Sequence, residues 1–483
     1  MINHLQKLLY ERVDNMENKN QKIGLIIILS TVLFLAIIFI GMTYAFFTAN
    51  NPEGSTAQII SKSGRMLINY NDGTDNIVPV TNIQPSNENI LIDKTFTLTG
   101  TNTTTGNTKM MPFDISIEYQ NTFEYHNDLL SELMYFIKRV DVNDKVVLNI
   151  VDFFAAPTDE LKQGVFQQYN LPTSLMDYKL GTFTDYSGKT YSQLIASGYF
   201  KPSDKNESVT LNLKMLFRET GEEQDYNKGA TFNGKIVVTP GVEVEKIEDN
   251  WDVIATNVKN GNSSKYNVGA EKEVLIDGKE YRVRVANNST PSECGNSEFS
   301  QTACGLVFEF VDVIENRVMN TESTNSGSWP ASEMRTYVNG YLYNKLPEEL
   351  KKNIIDTKVV TGHGSREETN YTSTDKLYLL SGHEVYEDDV NDKISEYDTA
   401  YNQTRQLDFY KSKNVVSNSL WNSDTIILQK DVLKYNNGAS AFWWLRAPVS
   451  NDANFFLIVL SGSFLNHAIS NGPFGVAPAF RIG

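Results

Sequence analysis

The residues that could perform chemistry are few and widely spaced in this 483-residue chain. Its histidines have none of the H-E-x-x-H or H-x-x-E-H pairings that hold zinc on one face of a helix. They are His4, His126, His363, His383 and His467. The sequence also has no G-x-S-x-G nucleophile elbow and no phosphate-binding glycine loop. This pattern predicts a protein that is not an enzyme, with no catalytic residues and no catalytic metal.

The two cysteines, Cys294 and Cys304, lie in the segment "SECGNSEFSQTACG". They are too few for a scaffold of several disulfides or for a zinc site with four thiolates. A bond between them would close a loop of about ten residues, which suits a stabilising disulfide outside the cytoplasm. We therefore predict a disulfide, with two free structural thiols as the alternative.

An acidic run, "HEVYEDDVNDKISEYD" from His383 to Asp398, has seven carboxylates against one lysine. Like charges this close repel each other, so the run is either a solvated loop or a calcium site. Calcium loops place their ligands in a register punctuated by glycine, which is missing here. The pattern favours the loop, and calcium is the single cofactor that the sequence leaves open.

The charge balance excludes one class of partner. The chain has 43 Lys and Arg against 59 Asp and Glu, a net charge of −16, and no basic stretch of five or more residues. A polyphosphate would be repelled over most of this surface. We expect no binding to nucleic acid.

An apolar stretch of 25 residues without a charge runs from Ile23 to Phe47. It is long enough to cross a membrane once, and the basic residues of segment 1–22 place that leader in the cytoplasm. The alternative is a cleaved export signal, because Thr43 and Ala45 are the small residues of a possible cleavage site. The length of the stretch favours a retained anchor, with the bulk of the chain extracellular.

Residues 48–244 contain short runs in which apolar and polar residues alternate, separated by turn clusters. This pattern predicts antiparallel strands of an all-β sandwich. The clearest runs are "KTFTLTG", "FDISIEY", "SVTLNLKMLF" and "FNGKIVVTP". The middle part, Asp128 to Ser197, is interpreted as an insertion of helices and loops, with "DLLSELMYFIKRV" as a helix.

Residues 245–250 form a predicted linker, and residues 251–483 a second domain of the α+β class. A hairpin turns at Asp277-Gly278. Ser328 is the expected N-cap of an amphipathic helix whose buried face includes Tyr341. Ser381 and Glu384 have the S-x-x-E spacing of a capping box.

Two resemblances narrow the class of protein. "MTYAFFTAN", with the later "LNLKMLFRETGEEQDYNKGATFNGKIVV", resembles Firmicutes surface proteins of the TasA and camelysin family, which implies a jelly-roll-like sandwich. "TNSGSWPASEMRTYVN", "STDKLYLLSGHEVY", "WWLRAP" and "GVAPAFRI", in this order, resemble a widespread domain of unassigned function in Firmicutes surface proteins. That domain is similar in pattern to the C-type-lectin-like fold of formylglycine-generating enzymes.

The second resemblance implies roles for its signature residues. They are Trp329, Trp443, Trp444, Arg446 and Phe480. In that fold the two adjacent tryptophans and Phe480 belong to the core, and Arg446 or Arg481 pairs with a buried carboxylate. The alternative is a tryptophan that stacks on a ligand. The two cysteines do not match the catalytic cysteines of the related oxidases.

These features predict an adhesion or binding protein anchored on a Gram-positive cell surface, whose partner is an extracellular glycan, wall polymer or protein. The alternatives are a structural component of the cell envelope or matrix, and an enzyme with an unrecognised site. Three polar segments are expected to form the binding face: Glu315–Ser328, Gly362–Thr374 and Glu387–Asn422. Their best ligand contacts are Tyr397, Tyr401, Arg405 and Tyr410; the alternative is that these loops are surface filler.

Overall fold

The computed structural model describes residues 56–60, 66–71, 85–102, 110–124, 132–156, 158–183, 185–203, 205–227, 230–389, 393–417, 428–461 and 465–483. These residues form mostly β-sheet, with few and short helices. None of the helices among them is both long and apolar enough for a membrane span. The leader, the apolar stretch Ile23–Phe47 and the cleavage site lie outside the described residues.

The N-terminal half is a sandwich-like pair of antiparallel sheets. Its strands are β1 (Thr56–Ile60), β2 (Met66–Asn71), β3 (Ile92–Asn102), β4 (Met111–Asn121), β5 (Leu133–Arg139), β6 (Val146–Ile150), β7 (Lys179–Thr182), β8 (Tyr191–Phe200), β9 (Glu207–Phe217) and β10 (Phe232–Pro240). One sheet has the order β1-β2-β3-β9-β5-β7, and the other contains β10-β4-β8-β6. Their inner faces share one core, in which Phe96 of β3 and Phe113 of β4 are both buried.

The four strands predicted from alternation are confirmed, and β4 illustrates why. Phe113, Ile115 and Ile117 are fully buried, while the residues between them are partly exposed. Successive side chains of a strand point to opposite faces, so one apolar face is enough to fix the strand in the sheet. Burying each such side chain stabilises the fold by about 1.5 to 3 kcal/mol.

The helix predicted over "DLLSELMYFIKRV" is wrong, because this segment contains β5. Strand β5 lies between β9 and β7, and Leu133 to Ile137 are buried on both faces. A strand buried on both faces loses its alternation, so periodicity cannot distinguish it from a helix. The predicted insertion therefore supplies strands β5 to β8, and its helix is Asp159–Gln168, whose Phe166 packs on the outer side of β5.

The C-terminal half combines three small sheets with short helices around one large core. Its strands are β11 (Glu271–Ile276), β12 (Lys279–Asn287), β13 (Val307–Phe310), β14 (Glu315–Arg317), β15 (Thr357–Thr361), β16 (Tyr371–Asp375), β17 (Tyr435–Asn436), β18 (Ala439–Ser440), β19 (Trp443–Pro448), β20 (Phe455–Val459), β21 (Leu465–Ile469), β22 (Phe474–Val476) and β23 (Ala479–Arg481). The sheets are β11-β12-β13-β23, β14-β22-β19-β20-β21 and β15-β16. The α-helices are Trp251–Lys259, Ser328–Ala331, Glu333–Tyr337, Tyr343–Lys345, Glu348–Lys351, Gly382–Val385 and Asp408–Ser412. The hairpin at Asp277-Gly278 is confirmed, with both residues at positive φ.

The predicted continuous helix after Ser328 is broken in the structure. Gly327 is the N-cap of the first short helix, and Ser332 caps the next, Glu333–Tyr337. A π-helical turn, Val338–Leu342, follows. Tyr341, predicted on the buried face, is 58 % exposed. The prediction assumed a regular α-helical period, whereas a π-turn spaces its hydrogen bonds one residue further and changes which side chains share a face.

The two halves are joined by more than the connecting chain. The hairpin β17–β18 lies beside β6 and extends the second sandwich sheet to the order β10-β4-β8-β6-β18-β17. Ile150 donates its backbone N–H to the carbonyl of Gly438 at 2.8 Å. The hydroxyl of Ser440 accepts a hydrogen bond from the backbone N–H of Asp152 at 2.8 Å. Lys430 forms an ion pair with Asp114 at 2.9 Å.

Candidate functional site

The three polar segments predicted as a binding face meet at one place in the C-terminal half. We call this place the loop rim, formed by Thr324–Gly327, Gly362–Asn370, Lys393–Gln403 and Ser450–Asn454. The first three loops come from the three predicted segments. The fourth, between β19 and β20, was missed, although its cluster of Ser, Asn and Asp after Pro448 is a turn signal.

One side of the loop rim is held by Asn325, which is fully buried. Its side-chain amide donates to the backbone carbonyls of Asp452 and Phe455, both at 3.0 Å. Its backbone N–H donates to the carbonyl of Ala453 at 2.9 Å, and that of Ser365 donates to Asp452 at 2.9 Å. Three loops from distant parts of the chain are thus joined through one asparagine and one carbonyl.

The other side is held by Thr399. Its hydroxyl accepts from the backbone N–H of His363 at 3.0 Å and donates to the side-chain carbonyl of Asn370 at 2.6 Å. Asn370 in turn donates to the side chain of Gln403 at 2.6 Å. The backbone N–H of Ser450 donates to the carbonyl of the neighbouring loop at Tyr397, 2.9 Å away. These contacts fix the backbones of the loops and leave their outer side chains free to face solvent.

A buried ion pair anchors strand β19, which directly precedes the rim loop Ser450–Asn454. Arg446 and Glu384 are both fully buried, and the two guanidinium nitrogens each lie 2.6 Å from one carboxylate oxygen. The carboxylate also accepts from the backbone N–H of Ser381 at 3.0 Å and from the hydroxyl of Thr404 at 2.9 Å. The predicted capping box and the predicted pairing of Arg446 with a buried carboxylate are both confirmed.

The electrostatics of this pair favour the charged form of Glu384. Burial alone would raise the pKa of its carboxyl group, but the adjacent Arg446 and the hydrogen bonds lower the pKa below its ordinary value. Such a pair is bidentate and geometrically specific. The pair therefore holds the capping-box helix against β19.

Cys294 and Cys304 are joined by the disulfide that their spacing predicts, with a Cα–Cα distance of 5.9 Å. The loop that they close packs against the buried ion pair. Its Thr302 donates its hydroxyl to Glu384, and the carbonyl of Thr302 accepts from the hydroxyl of Tyr378 at 3.3 Å. The disulfide therefore restrains a loop that completes the hydrogen bonding of a buried charge.

Two of the four predicted ligand contacts are wrong, because their side chains belong to the interior. Tyr410 is fully buried, and its hydroxyl donates to Glu309 at 2.9 Å and accepts from Arg284 at 3.1 Å. Tyr401 is only 8 % exposed, and its ring stacks on His383 at 3.7 Å between centroids. Tyrosine has a large apolar ring, so it fills the core even within a polar segment when its hydroxyl finds a partner.

The other two predicted contacts support the loops. Arg405 is half-buried and donates to Asp408 at 3.1 Å, to Asn287 at 2.6 Å and to Ser289 at 2.6 Å. Tyr397 is half-buried and packs against the core. The exposed side chains of the rim are polar or charged. They include Ser365, Arg366, Glu368, Ser395, Glu396 and Asn402.

Trp443, Trp444 and Phe480 are fully buried, which confirms their predicted place in the core, and the signature residue Trp329 is fully buried as well. The indole N–H of Trp444 donates to the carbonyl of Arg317 at 2.8 Å. The alternative, a tryptophan that stacks on a ligand, is wrong for all three tryptophans. Because these side chains are buried, they identify the fold but do not indicate which ligand the domain binds.

The acidic run does not behave as one solvated loop. Glu384 is in the buried ion pair, and Asp398 is buried next to the backbone of Gly362. Burial raises the pKa of the Asp398 carboxyl group. Among the residues that the structure describes, no three His, Cys, Asp or Glu side chains are grouped to hold a metal ion. Residues 390–392 of the run lie outside the described part, so the calcium alternative is untested there.

Residues 306–483 match a protein family described as a domain of unknown function, DUF6273. This match covers less than half of the chain and includes the loop rim, the buried ion pair and strands β13 to β23. No curated protein matches the chain, and no solved structure matches it. In the structure, β11 and β12 pair in sequence with β13, so the sheet that begins the matched region extends beyond it toward the N-terminus.

Proposed function

We propose that this chain is a bacterial cell-surface protein that binds an extracellular partner through the loop rim, with the β-sandwich as its stalk. The observation that carries the proposal is the rim itself. Four loops from distant parts of the chain meet there, and hydrogen bonds hold their backbones while polar side chains face outward. Binding residues concentrate on loops that a rigid scaffold positions.

Two further features support a location outside the cytoplasm. The Cys294–Cys304 disulfide is the kind of bond that persists in oxidising surroundings. The apolar stretch Ile23–Phe47 has the length of a retained anchor, and its basic leader favours an extracellular C-terminal half. The resemblance to TasA-like and C-type-lectin-like surface proteins supports the same arrangement.

The alternative function, a structural component of the cell envelope or matrix, would use sheet edges for assembly. An exposed edge strand presents unpaired backbone groups that can pair with another chain. The β6 edge is covered by the chain's own hairpin β17–β18. Strands β1, β7 and β10 still end their sheets, so the sheet edges alone do not decide between the two functions. We favour the binding function because of the loop rim.

The test uses the full chain, kept soluble in a detergent without a sugar headgroup. It is mixed with Gram-positive wall sacculi that retain their attached polymers, and binding is measured by co-sedimentation. The rim variant is Arg366→Ala with Asn402→Ala, two exposed positions of the loop rim. The matched control is Lys205→Ala with Asn206→Ala, exposed positions of the sandwich that likewise remove one basic side chain and one asparagine.

We expect the parent and the control to sediment with the sacculi and the rim variant to bind at least tenfold more weakly. Circular dichroism should give the same melting temperature for all three, since the substituted side chains are exposed. Sedimentation of the rim variant equal to that of the parent would contradict a binding role for the rim. A parent that stays in the supernatant would reject a wall partner.

A further inference from the structure

A row of aromatic rings and one guanidinium group lies on the C-terminal half, formed by residues outside the loop rim. We call it the aromatic row: Tyr341, Tyr337, Arg317, Phe474 and Phe442. The rings of Tyr341 and Tyr337 stack at 5.6 Å with 22° between their planes. The guanidinium of Arg317 lies 4.0 Å from the centroid of Tyr337. Arg317 is paired directly with Phe474 across β14 and β22, and Phe474 lies 5.8 Å from Phe442.

The exposed end of the row is the feature that core packing does not explain. Tyr341 is 58 % exposed, although Val338 and Leu342 of the same turn are buried. The π-helical turn Val338–Leu342 makes this arrangement possible. Such turns are rare and occur frequently at functional sites. Since Tyr337 stacks on one face of the Tyr341 ring, the exposed area of this side chain lies on the opposite face and the ring edge, where it contributes little to the core.

Polar groups flank the row on both sides and their charges balance. Lys345 lies 5.4 Å from the ring of Tyr341 and forms an ion pair with Asp277 at 3.1 Å. Arg317 lies 3.6 Å from a carboxylate oxygen of Glu315. The row thus offers donors and acceptors next to its rings without a net charge. This chemistry suits a neutral ligand with apolar faces and hydroxyl edges better than a charged polymer.

We propose that the aromatic row binds a neutral oligosaccharide. One C–H face of a pyranose ring would stack on Tyr341, and the ring's hydroxyls would exchange hydrogen bonds with the Lys345–Asp277 pair. Aromatic side chains combine a large apolar surface with defined geometry, which suits stacking of this kind. A second copy of the chain is a poorer occupant, because stable protein interfaces bury roughly 800 Å² per partner and the row ends in one exposed ring.

This site goes beyond the proposed function, since it uses none of the residues of the loop rim. The test measures binding of cellohexaose, maltohexaose and the β-1,4-linked hexamer of N-acetylglucosamine to the full chain by isothermal calorimetry. The same sugar-free detergent is used. The variants are Tyr341→Ala, which removes the ring, and Tyr341→Phe, which keeps the ring and removes the hydroxyl. Tyr186→Ala removes a 37 % exposed tyrosine from the sandwich half and is the matched control.

We expect the parent to bind at least one hexasaccharide, with Kd raised about tenfold by Tyr341→Ala and less than threefold by Tyr341→Phe. The control should bind like the parent. Failure of all three hexasaccharides to bind, or equal Kd values for the parent and Tyr341→Ala, would overturn the proposal. Sugar binding that is lost in Arg366→Ala and kept in Tyr341→Ala would also overturn it, and would assign the sugar to the rim.

Discussion

Replacing Glu384 by glutamine should be among the most damaging single changes in the C-terminal half. The substitution keeps the shape of the side chain and removes its charge, so Arg446 is left as a fully buried cation. The amide oxygen of the glutamine can still accept from one guanidinium nitrogen, and the carbonyl of Leu379 accepts at 2.9 Å, but the amide NH2 faces the other nitrogen and no negative charge remains. Breaking a buried ion pair by removing one partner costs about 3 to 5 kcal/mol. A typical domain has a free energy of unfolding of about 5 to 15 kcal/mol, so this loss is a large fraction.

Urea unfolding at pH 7, followed by tryptophan fluorescence, measures this loss. Trp329, Trp443 and Trp444 are fully buried in the same half, so their emission should report its unfolding. The matched control is Glu273→Gln, the same change in the exposed pair with Lys246, whose oxygen and nitrogen lie 3.0 Å apart. Exposed pairs contribute about 0 to 1 kcal/mol, so the control should stay close to the parent.

Two further measurements separate a pair from two independent side chains. The double variant Glu384→Gln with Arg446→Met should lose less than the sum of its single variants, since coupled neighbours differ from additivity by about 0.5 to 3 kcal/mol. The pKa of Glu384 is lowered in the folded state. Its contribution is therefore fully present above its unfolded pKa, about 4.3, and is lost as the pH falls through the folded pKa. The parent and Glu384→Gln should converge on acidification. A cost for Glu384→Gln below 1 kcal/mol, equal to that of Glu273→Gln, would refute the reasoning.

Three other outcomes are expected. Cys294→Ser should lower the free energy of unfolding by about 3 kcal/mol, because the disulfide no longer restricts a loop of about ten residues in the unfolded chain. Reductant should lower the parent to the same level and leave the variant unchanged. A parent insensitive to reductant would contradict the disulfide with Cys304. Gly438→Val should destabilise the hairpin between the two halves by about 1 to 2 kcal/mol, because Gly438 has φ +80° and an added Cβ would lie 3.1 Å from a carbonyl oxygen. Asn437→Gly should be close to neutral. Equal melting temperatures for the two variants would argue against strain at Gly438. N-terminal sequencing of the mature protein should find a retained anchor, and a sequence that begins at Phe46 would instead establish cleavage.

The sequence was most informative where the physical cause is local. Alternation identified β3, β4 and β10, because each has one face in the core and one more exposed, and it identified β9 through its alternating first half, although Leu216 near its end is buried on the outer side. The S-x-x-E spacing identified the cap at Ser381, since all of its atoms lie within one turn. Strand β5 was mistaken for a helix, because burial on both faces removes the alternation that distinguishes the two.

The site was harder to predict, because its contacts are long-range. The sequence indicated three of the four rim loops through their polar composition, but composition does not say which side chains point outward. Tyr401 and Tyr410 turn inward because His383 and Glu309, both remote in sequence, provide their partners. The hairpin at Asn437-Gly438 carried a signal that was not used, since Asn-Gly is a strong predictor of a two-residue turn. Its pairing with β6 depends on the fold and has no local signal.

Strand β19 connects the features on which the proposed function rests. The hairpin β17–β18, which joins the sandwich sheet, directly precedes β19. Arg446 of β19 forms the buried ion pair. The rim loop Ser450–Asn454 follows Pro448 at the end of the strand. Because both ends of this short, fully buried strand are held by backbone hydrogen bonds, the rim cannot tilt against the sandwich without breaking some of them. For the proposed binding function, loops whose backbones are already held by hydrogen bonds would lose less conformational freedom on binding, and this would reduce the ordering cost.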